Sequence, residues 1–318
     1  MAGRVQPFLD SLGPEVEDPE EEAFLLFSQT IPSQNLGFVD SKATEIDLTI
    51  NGRDLTIYQS PTILSSNRDG GTTGAVIWKI TPLFARWISS LTNPLLKHQI
   101  ITPDSVVLEL GCGISGLIAL TLSPLLQTYI LTDQPYVLKF LSQNLSSNSS
   151  TPSSTTNSKS KPRKSKTSSS TSTSTSTSTS TSTTQQLSTN KIIPLTLDWE
   201  TDVVSPSLTC SETTTSFDTI IACDCIYNDA LIPPFVQTCV DLCRLRSTSS
   251  STKNQDQTEP RNPTLCIIAQ QLRSPDVFES WLKEFNKFFR VWRVQEGGIQ
   301  ECGLGEDSGF VVHIGILR

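Results

Sequence analysis

The segment Val106–Leu117, VVLELGCGISGL, limits this chain more than any other feature. A short apolar run enters a turn carrying Gly111, Gly113 and Gly116, and the helical stretch Leu117–Leu125 follows at once. A strand that turns through glycine straight into a helix brings backbone close to a ligand and aims helix N–H groups at it. The spacing is the G-x-G-x-x-G of nucleotide-binding sheets, in which strands and helices alternate and the strands run parallel. Asp133 ends the next strand-like run, Tyr129–Thr132. An acid placed there needs a partner once buried, and the two hydroxyls of a ribose supply one. Together the glycines and the acid specify an adenosine with a free ribose, a feature shared by nicotinamide dinucleotides and S-adenosylmethionine.

The alternation continues along the chain. Pro135–Leu145, Pro233–Arg244 and Pro275–Phe289 carry helical spacing, while Lys191–Leu197, Phe217–Ala222 and Thr264–Gln270 read as strands. The last residues, Phe288–Val294 and Gly309–Leu317, read as two strands joined by a Gly-rich loop. Ahead of the core, apolar residues from Val76 to Leu91 predict an amphipathic helix, with Pro82 in its first turn or at a kink. Further upstream Ile46, Leu48 and Ile50 alternate, Asn51-Gly52 supplies a type I′ turn, and Leu55 and Ile57 resume the pattern, so Glu45–Tyr58 reads as a hairpin. The acidic stretch Glu15–Glu22 reads as a solvated face or a helix start. The expected fold class is α/β: a doubly wound, seven-stranded, mostly parallel Rossmann-like sheet with a C-terminal antiparallel hairpin. Residues 1–72 form an N-terminal extension with its own β-hairpin, and 73–318 form the main domain.

Two stretches, 146–190 and 247–262, interrupt that domain. They are nearly all polar and cannot bury enough apolar area to offset their ordering entropy, so both read as disordered inserts. The basic patch Lys159–Lys166 reads as a solvated tether or as a localisation element. This dilution explains an apolar content of 36% over 318 residues. A net charge of −8 argues against a nucleic-acid footprint, which needs a basic face. There is no apolar run of about 18 residues, so no membrane span is expected. The N-terminal residues lack an apolar signal region, which points to a reducing, cytoplasmic or nuclear setting and to free thiols. Cys223/Cys225 and Cys239/Cys243 lack the paired spacing of a strong zinc site, and no metal is expected.

Glu109 tips the choice of cofactor. A carboxylate two residues before the first glycine would be costly against a pyrophosphate and useful near a cationic sulfonium or amino group. The terminal hairpin is likewise foreign to a plain dinucleotide domain. At this point the chain resembles the seven-strand class I methyltransferases, and within them the lysine methyltransferases of the methyltransferase-like 21 group. The matching residues are Trp78, Glu109-Leu110-Gly111-Cys112-Gly113, Thr132-Asp133, Leu197-Asp198-Trp199 and Ala222-Cys223-Asp224-Cys225-Ile226-Tyr227, the last containing the D-x-x-Y signature. The N-terminal stretch and the layout are similar to fungal ribosomal lysine methyltransferases, apart from the two inserts.

The resemblance implies S-adenosylmethionine as cofactor. Gly111, Cys112 and Gly113 would cradle its methionine part and Asp133 its ribose. Trp199 would lie on or beside the adenine, with Asp198 partnering the amino group. Trp78 and the backbone around Ala222 would complete the pocket, although Trp78 also suits plain core packing on a helix. Asp224 and Tyr227 follow the fourth strand, where acceptor and cofactor should meet, and form the candidate catalytic pair. A free lysine has a pKa of about 10.4, so roughly one in a few thousand is neutral at pH 7. The site must desolvate the amine or position a proton acceptor. The charge of Asp224 favours the ammonium form, yet the carboxylate can orient the nitrogen; the residue could instead cap the helix that follows.

Methyltransferases of planar amides carry Asn-Pro-Pro-Tyr at this strand end, so Asp-Cys-Ile-Tyr favours an aliphatic amine. The resemblance implies a basic protein partner, a large-subunit ribosomal protein of the uL1 type, and an acidic monomeric enzyme would be steered toward it. A small-molecule amine, an inactive cofactor-binding module and a nicotinamide oxidoreductase remain as alternatives.

Overall fold

Val106–Leu110 is buried along its whole length, as a parallel strand covered on both faces must be. A computed structural model describes residues 3–68, 71–149, 191–249, 262–295 and 297–318. In chain order it contains α1 (Val5–Asp10), α2 (Pro19–Phe27), β1 (Glu45–Ile50), β2 (Arg53–Tyr58), α3 (Pro61–Leu64), α4 (Ile80–Ile88) and α5 (Pro94–Lys97). The core follows as β3 (Val106–Leu110), α6 (Leu117–Leu122), β4 (Thr128–Asp133), α7 (Leu138–Asn148) and β5 (Ile192–Thr196). It continues through β6 (Thr219–Cys223), α8 (Ile232–Ser249), β7 (Leu265–Gln271), α9 (Pro275–Asn286), β8 (Phe289–Arg293) and β9 (Phe310–Leu317).

The main sheet has the order β5-β4-β3-β6-β7-β9-β8, with β9 running against its neighbours. This is the expected doubly wound sheet with a terminal antiparallel hairpin. Alternate residues of each strand feed two cores. On one face Val107, Tyr129, Leu131, Ile221 and Ile267 pack with α1, the β1–β2 hairpin, α4 and α6. On the other, Leu108, Ile130, Ile220 and Ile268 pack with α2, α8 and α9. The hairpin turn has positive φ at both Asn51 and Gly52, which is the type I′ geometry its sequence predicts.

Several local expectations change. The helix read over Val76–Leu91 begins only at Ile80, so Trp78 is not helical. The upstream strand-like segment claims that stretch: Val39 donates to the carbonyl of Ile77, Lys79 donates to that of Gly37, and Phe38 bridges Trp78. Pro82 sits in the first turn, where a missing N–H costs nothing. The acidic stretch does start a helix, with Asp18 capping α2, but Glu22 is not solvated. It is buried and 2.9 Å from Nε2 of His313. Helix α1 was invisible as periodicity, yet Val5, Phe8 and Leu9 are fully buried.

Helix α7 runs through Asn148, past the point where the first insert was expected to start. The Asn148 side chain accepts from the N–H of Thr56 and donates to its carbonyl, so it completes the edge of β2. Helix α8 likewise runs to Ser249. Residues 150–190, including the basic patch Lys159–Lys166, and 250–261 lie outside the described residues. Among the described residues no helix is long and apolar enough to cross a membrane.

Candidate active site

Every strand end that carries a candidate residue opens at the carboxyl edge of the sheet, where ligands bind in doubly wound folds. Gly111 has φ of +63°, and a Cβ on it would lie 2.7 Å from Sγ of Cys225 and 3.2 Å from the Trp199 ring. Glycine is therefore required there by backbone conformation and by close approach alike. The turn is pinned to the next strand. Cys112 N–H donates to the carbonyl of Thr132 at 3.1 Å, and Gly113 N–H donates to Oδ2 of Asp133 at 2.7 Å. Asp133 Oδ1 accepts from Gln134 N–H, also at 2.7 Å. Burial nonetheless pushes the Asp133 carboxyl up to about 6, because the two backbone donors offset only part of its desolvation.

A cleft of about 690 Å³ opens over this turn. Glu109, Gly111, Cys112, Gly113, Asp133, Asp198, Trp199, Trp78, Asp224 and Tyr227 all line it. Asp198 accepts from Nε2 of Gln134 at 2.9 Å and from Glu200 N–H, and these donors hold its carboxyl below the usual range. Trp199 stands edge-on to Phe235 with centroids 5.1 Å apart and keeps contact with the cleft. Ala222 is the exception. It is fully buried in the core packed by α8 and does not line the cleft, because strand alternation turns its neighbour Cys223 that way instead. Burial pushes the thiols of Cys112, Cys223 and Cys225 well up, so they are neutral wall atoms here.

Asp224 does not cap a helix. Asn228 does, its side chain accepting from Ala230 N–H. Asp224 instead sits at φ of +63°, donates its N–H to the Ala269 carbonyl, and forms a two-pronged ion pair with Arg273. The Arg273 guanidinium lies 4.9 Å from the Trp78 ring centroid, and Phe38 packs against the same indole at 4.5 Å. Trp78 Nε1–H donates to the Thr73 carbonyl. Trp78 is thus a wall of the cleft rather than a helix-core residue. Tyr227 is 43% exposed at the rim and accepts from the Thr73 hydroxyl at 3.2 Å.

Three participants escaped sequence reasoning. Tyr136 accepts from Gly74 N–H at 3.1 Å and joins the segment before α4 to the glycine turn. Tyr129 holds Glu109. Arg273 pairs with Asp224, and its one sequence signal was a cation just past a buried strand end.

The sequence pattern of the lysine methyltransferase family matches residues 58–162 and 171–259. A Schizosaccharomyces pombe protein named diaminohydroxyphosphoribosylamino-pyrimidine deaminase is 27% identical over 297 residues, which cover 93% of this chain. The chain spans 58% of the length of that relative. Ribosomal lysine N-methyltransferase 5 of Candida glabrata is 27% identical over 313 residues, covering 80% of this chain and 84% of that protein. Its Zygosaccharomyces rouxii namesake is 29% identical over 245 residues, covering 72% and 70%.

The residues of the cleft fit S-adenosylmethionine on their own chemistry. A paired carboxylate beside a glycine turn suits a ribose, an indole suits a purine face, and a buried acid at Glu109 suits a cation. The family match removes the dinucleotide oxidoreductase alternative. The chain belongs to the lysine methyltransferase family, with S-adenosylmethionine as its methyl donor.

Proposed function

We propose that the protein is a protein-lysine N-methyltransferase acting, as a monomer in the cytoplasm or nucleus, on a basic protein of the large ribosomal subunit. The observation that carries this reading is the shared cleft. Asp198 and Trp199 follow β5, Asp133 ends β4, Gly111 follows β3, and Asp224 follows β6, in the order of the sheet. Neighbouring strands are about 4.8 Å apart, so Asp133 and Asp224 stand roughly 10 Å apart along the edge. That separation suits a nucleoside held over β4 and β5 and an acceptor amine entering over β6.

S-adenosylmethionine, when bound, supplies an electrophilic methyl group. The residues of this chain hold and align what reacts. Asp133 takes the ribose hydroxyls, Trp199 and Asp198 take the adenine, and Gly111–Gly113 leave room for the methionine part. Trp78 completes the cofactor pocket, Tyr227 flanks the aliphatic stem of the lysine, and the buried Asp224 and Cys225 wall the cleft beside the nitrogen. Alignment of this kind converts a two-body reaction into a near-unimolecular one, the larger source of rate here. The substrate class follows the names of the Candida and Zygosaccharomyces relatives, and a net charge of −8 would draw a basic protein inward.

The test is incubation of the purified chain with labelled S-adenosylmethionine and ribosomes from a strain lacking it, followed by mass spectrometry. A methylated lysine on a large-subunit protein is the expected result. Label confined to small amines, or none, would overturn the ribosomal reading.

A further inference from the structure

Asp224 is not an isolated carboxylate. Its Oδ1 accepts from Nη1 of Arg273 at 2.6 Å and its Oδ2 from Nη2 at 2.5 Å, while Gln271 N–H reaches Oδ1 at 3.3 Å. Arg273 is itself clamped. The Trp78 ring lies 4.9 Å from its guanidinium carbon, Oε1 of Gln271 accepts from Nη2 at 3.0 Å, and a Cβ on Gly37 would stand 2.8 Å from Nη2. A planar fork on both carboxylate oxygens sets the plane of the carboxylate as well as opposing its charge. Oδ1 has two donors and Oδ2 has one, so Oδ2 keeps an acceptor direction while Asp224 lines the cleft. The left-handed backbone of Asp224 is uncommon for a residue with a side chain and persists because these contacts hold it.

A lone carboxylate beside a lysine would stabilise the ammonium, which has no lone pair to give. A neutralised one would not. We infer that Arg273 is a positioning residue for methyl transfer: it cancels the charge of Asp224 and leaves one Oδ2 lone pair to orient the acceptor nitrogen. The inference rests on the lysine reading above. In the step it serves, the ammonium first loses a proton to water. The amine lone pair then forms the N–C bond as the C–S bond breaks, its electrons go to sulfur, and the positive charge passes to nitrogen. No other group facing Asp224 among the described residues can replace Arg273 in this. Burial keeps the Cys223 and Cys225 thiols and the Tyr227 hydroxyl protonated, Glu109 and Asp133 across the cleft are acids, and the Lys79 ammonium is turned to Gln34.

The test compares the full chain with Arg273→Met and Arg273→Lys, using thermal melts to verify folding. With ribosomes from a strain lacking the enzyme as substrate, the inflection of kcat against pH should move about one unit alkaline in the Met variant. It should stay in place in the Lys variant, which keeps a cation but loses the fork and turns over more slowly. Calorimetry with butylamine at pH 7.5, in the presence of S-adenosylhomocysteine, gives a readout free of turnover. The Met variant should bind the butylammonium ion about ten-fold more tightly, because Asp224 then faces it with a full charge. An unmoved inflection with equal or weaker amine binding would overturn the role of Arg273. Failure of the unaltered enzyme to methylate ribosomes would instead sink the substrate reading, and the butylammonium comparison would still decide Arg273. Should the Met variant not fold, Arg273→Gln replaces it in both measurements.

Discussion

The phenol of Tyr129, near the start of β4, donates a 2.6 Å hydrogen bond to Oε2 of Glu109, one residue before the end of β3, and both side chains are buried. Burial pushes the Glu109 carboxyl up to about 8, overriding the lowering effect of that bond. In the cofactor-free protein this acid therefore keeps its proton at neutral pH. A raised folded-state pKa stabilises the fold fully below about pH 4.5, and that contribution fades as pH rises through 8. Glu109→Gln keeps the shape but cannot ionise. Its melting temperature should gain on the parent between pH 5 and 9, by about 2–4 °C per kcal/mol of ionisation cost. Parallel melting curves across that range would show that Glu109 does not titrate.

Asp133 joins the turn to the strand that carries it. Asp133→Ala removes an acceptor from both Gly113 and Gln134 and from any ribose, so S-adenosylhomocysteine should bind on the order of 100-fold more weakly, about 2–3 kcal/mol. With the carboxyl near 6, affinity in the unaltered protein should also fall as pH drops through that value, since the protonated acid accepts less well. Calorimetry at pH 5.5 and 7.5 checks both. Equal affinity in the variant would remove the ribose role.

Gly111→Ala tests the cradle. The new methyl would meet Cys225 Sγ at 2.7 Å on a left-handed backbone. A destabilisation of about 1–3 kcal/mol is expected, along with displacement of the Trp199 ring and weaker cofactor binding. Chemical denaturation and tryptophan fluorescence would reveal it; wild-type values in both would mean the turn relaxes freely.

Two deletions of the polar tract should behave differently. Replacing residues 151–188 by about six Gly and Ser residues should leave a folded, active enzyme, since such a link is ordinary between a helix and a strand. Extending the deletion back to Ser146 removes Asn148, which bonds both backbone polar groups of Thr56 and whose carbonyl accepts from Arg53. That variant should melt at a clearly lower temperature. Equal melting points would show that Asn148 contributes nothing.

The strand, the glycine turn and the acid after the second strand were legible because each is a local pattern with a fixed period or a fixed backbone need. Trp199 and Tyr227 were legible from the family resemblance and do line the cleft. Trp78 was assigned to a helix because apolar spacing cannot reveal that residues near Gly37 take over the backbone bonds of Ile77 and Lys79. Of the backbone around Ala222, it is Cys223 that lines the cleft while the Ala222 side chain faces the core, since the side a strand residue faces depends on which elements cover the sheet.

By itself the sequence determined a parallel sheet that turns through glycine toward an adenosine, because those features act over a handful of neighbouring residues. Tertiary structure alone decided the state of Asp224. Its partner Arg273 lies 49 residues away, and the wall that clamps Arg273 comes from Gly37 and Trp78. Charge pairing and close approach act through space, so residues that distant leave no periodic trace along the chain.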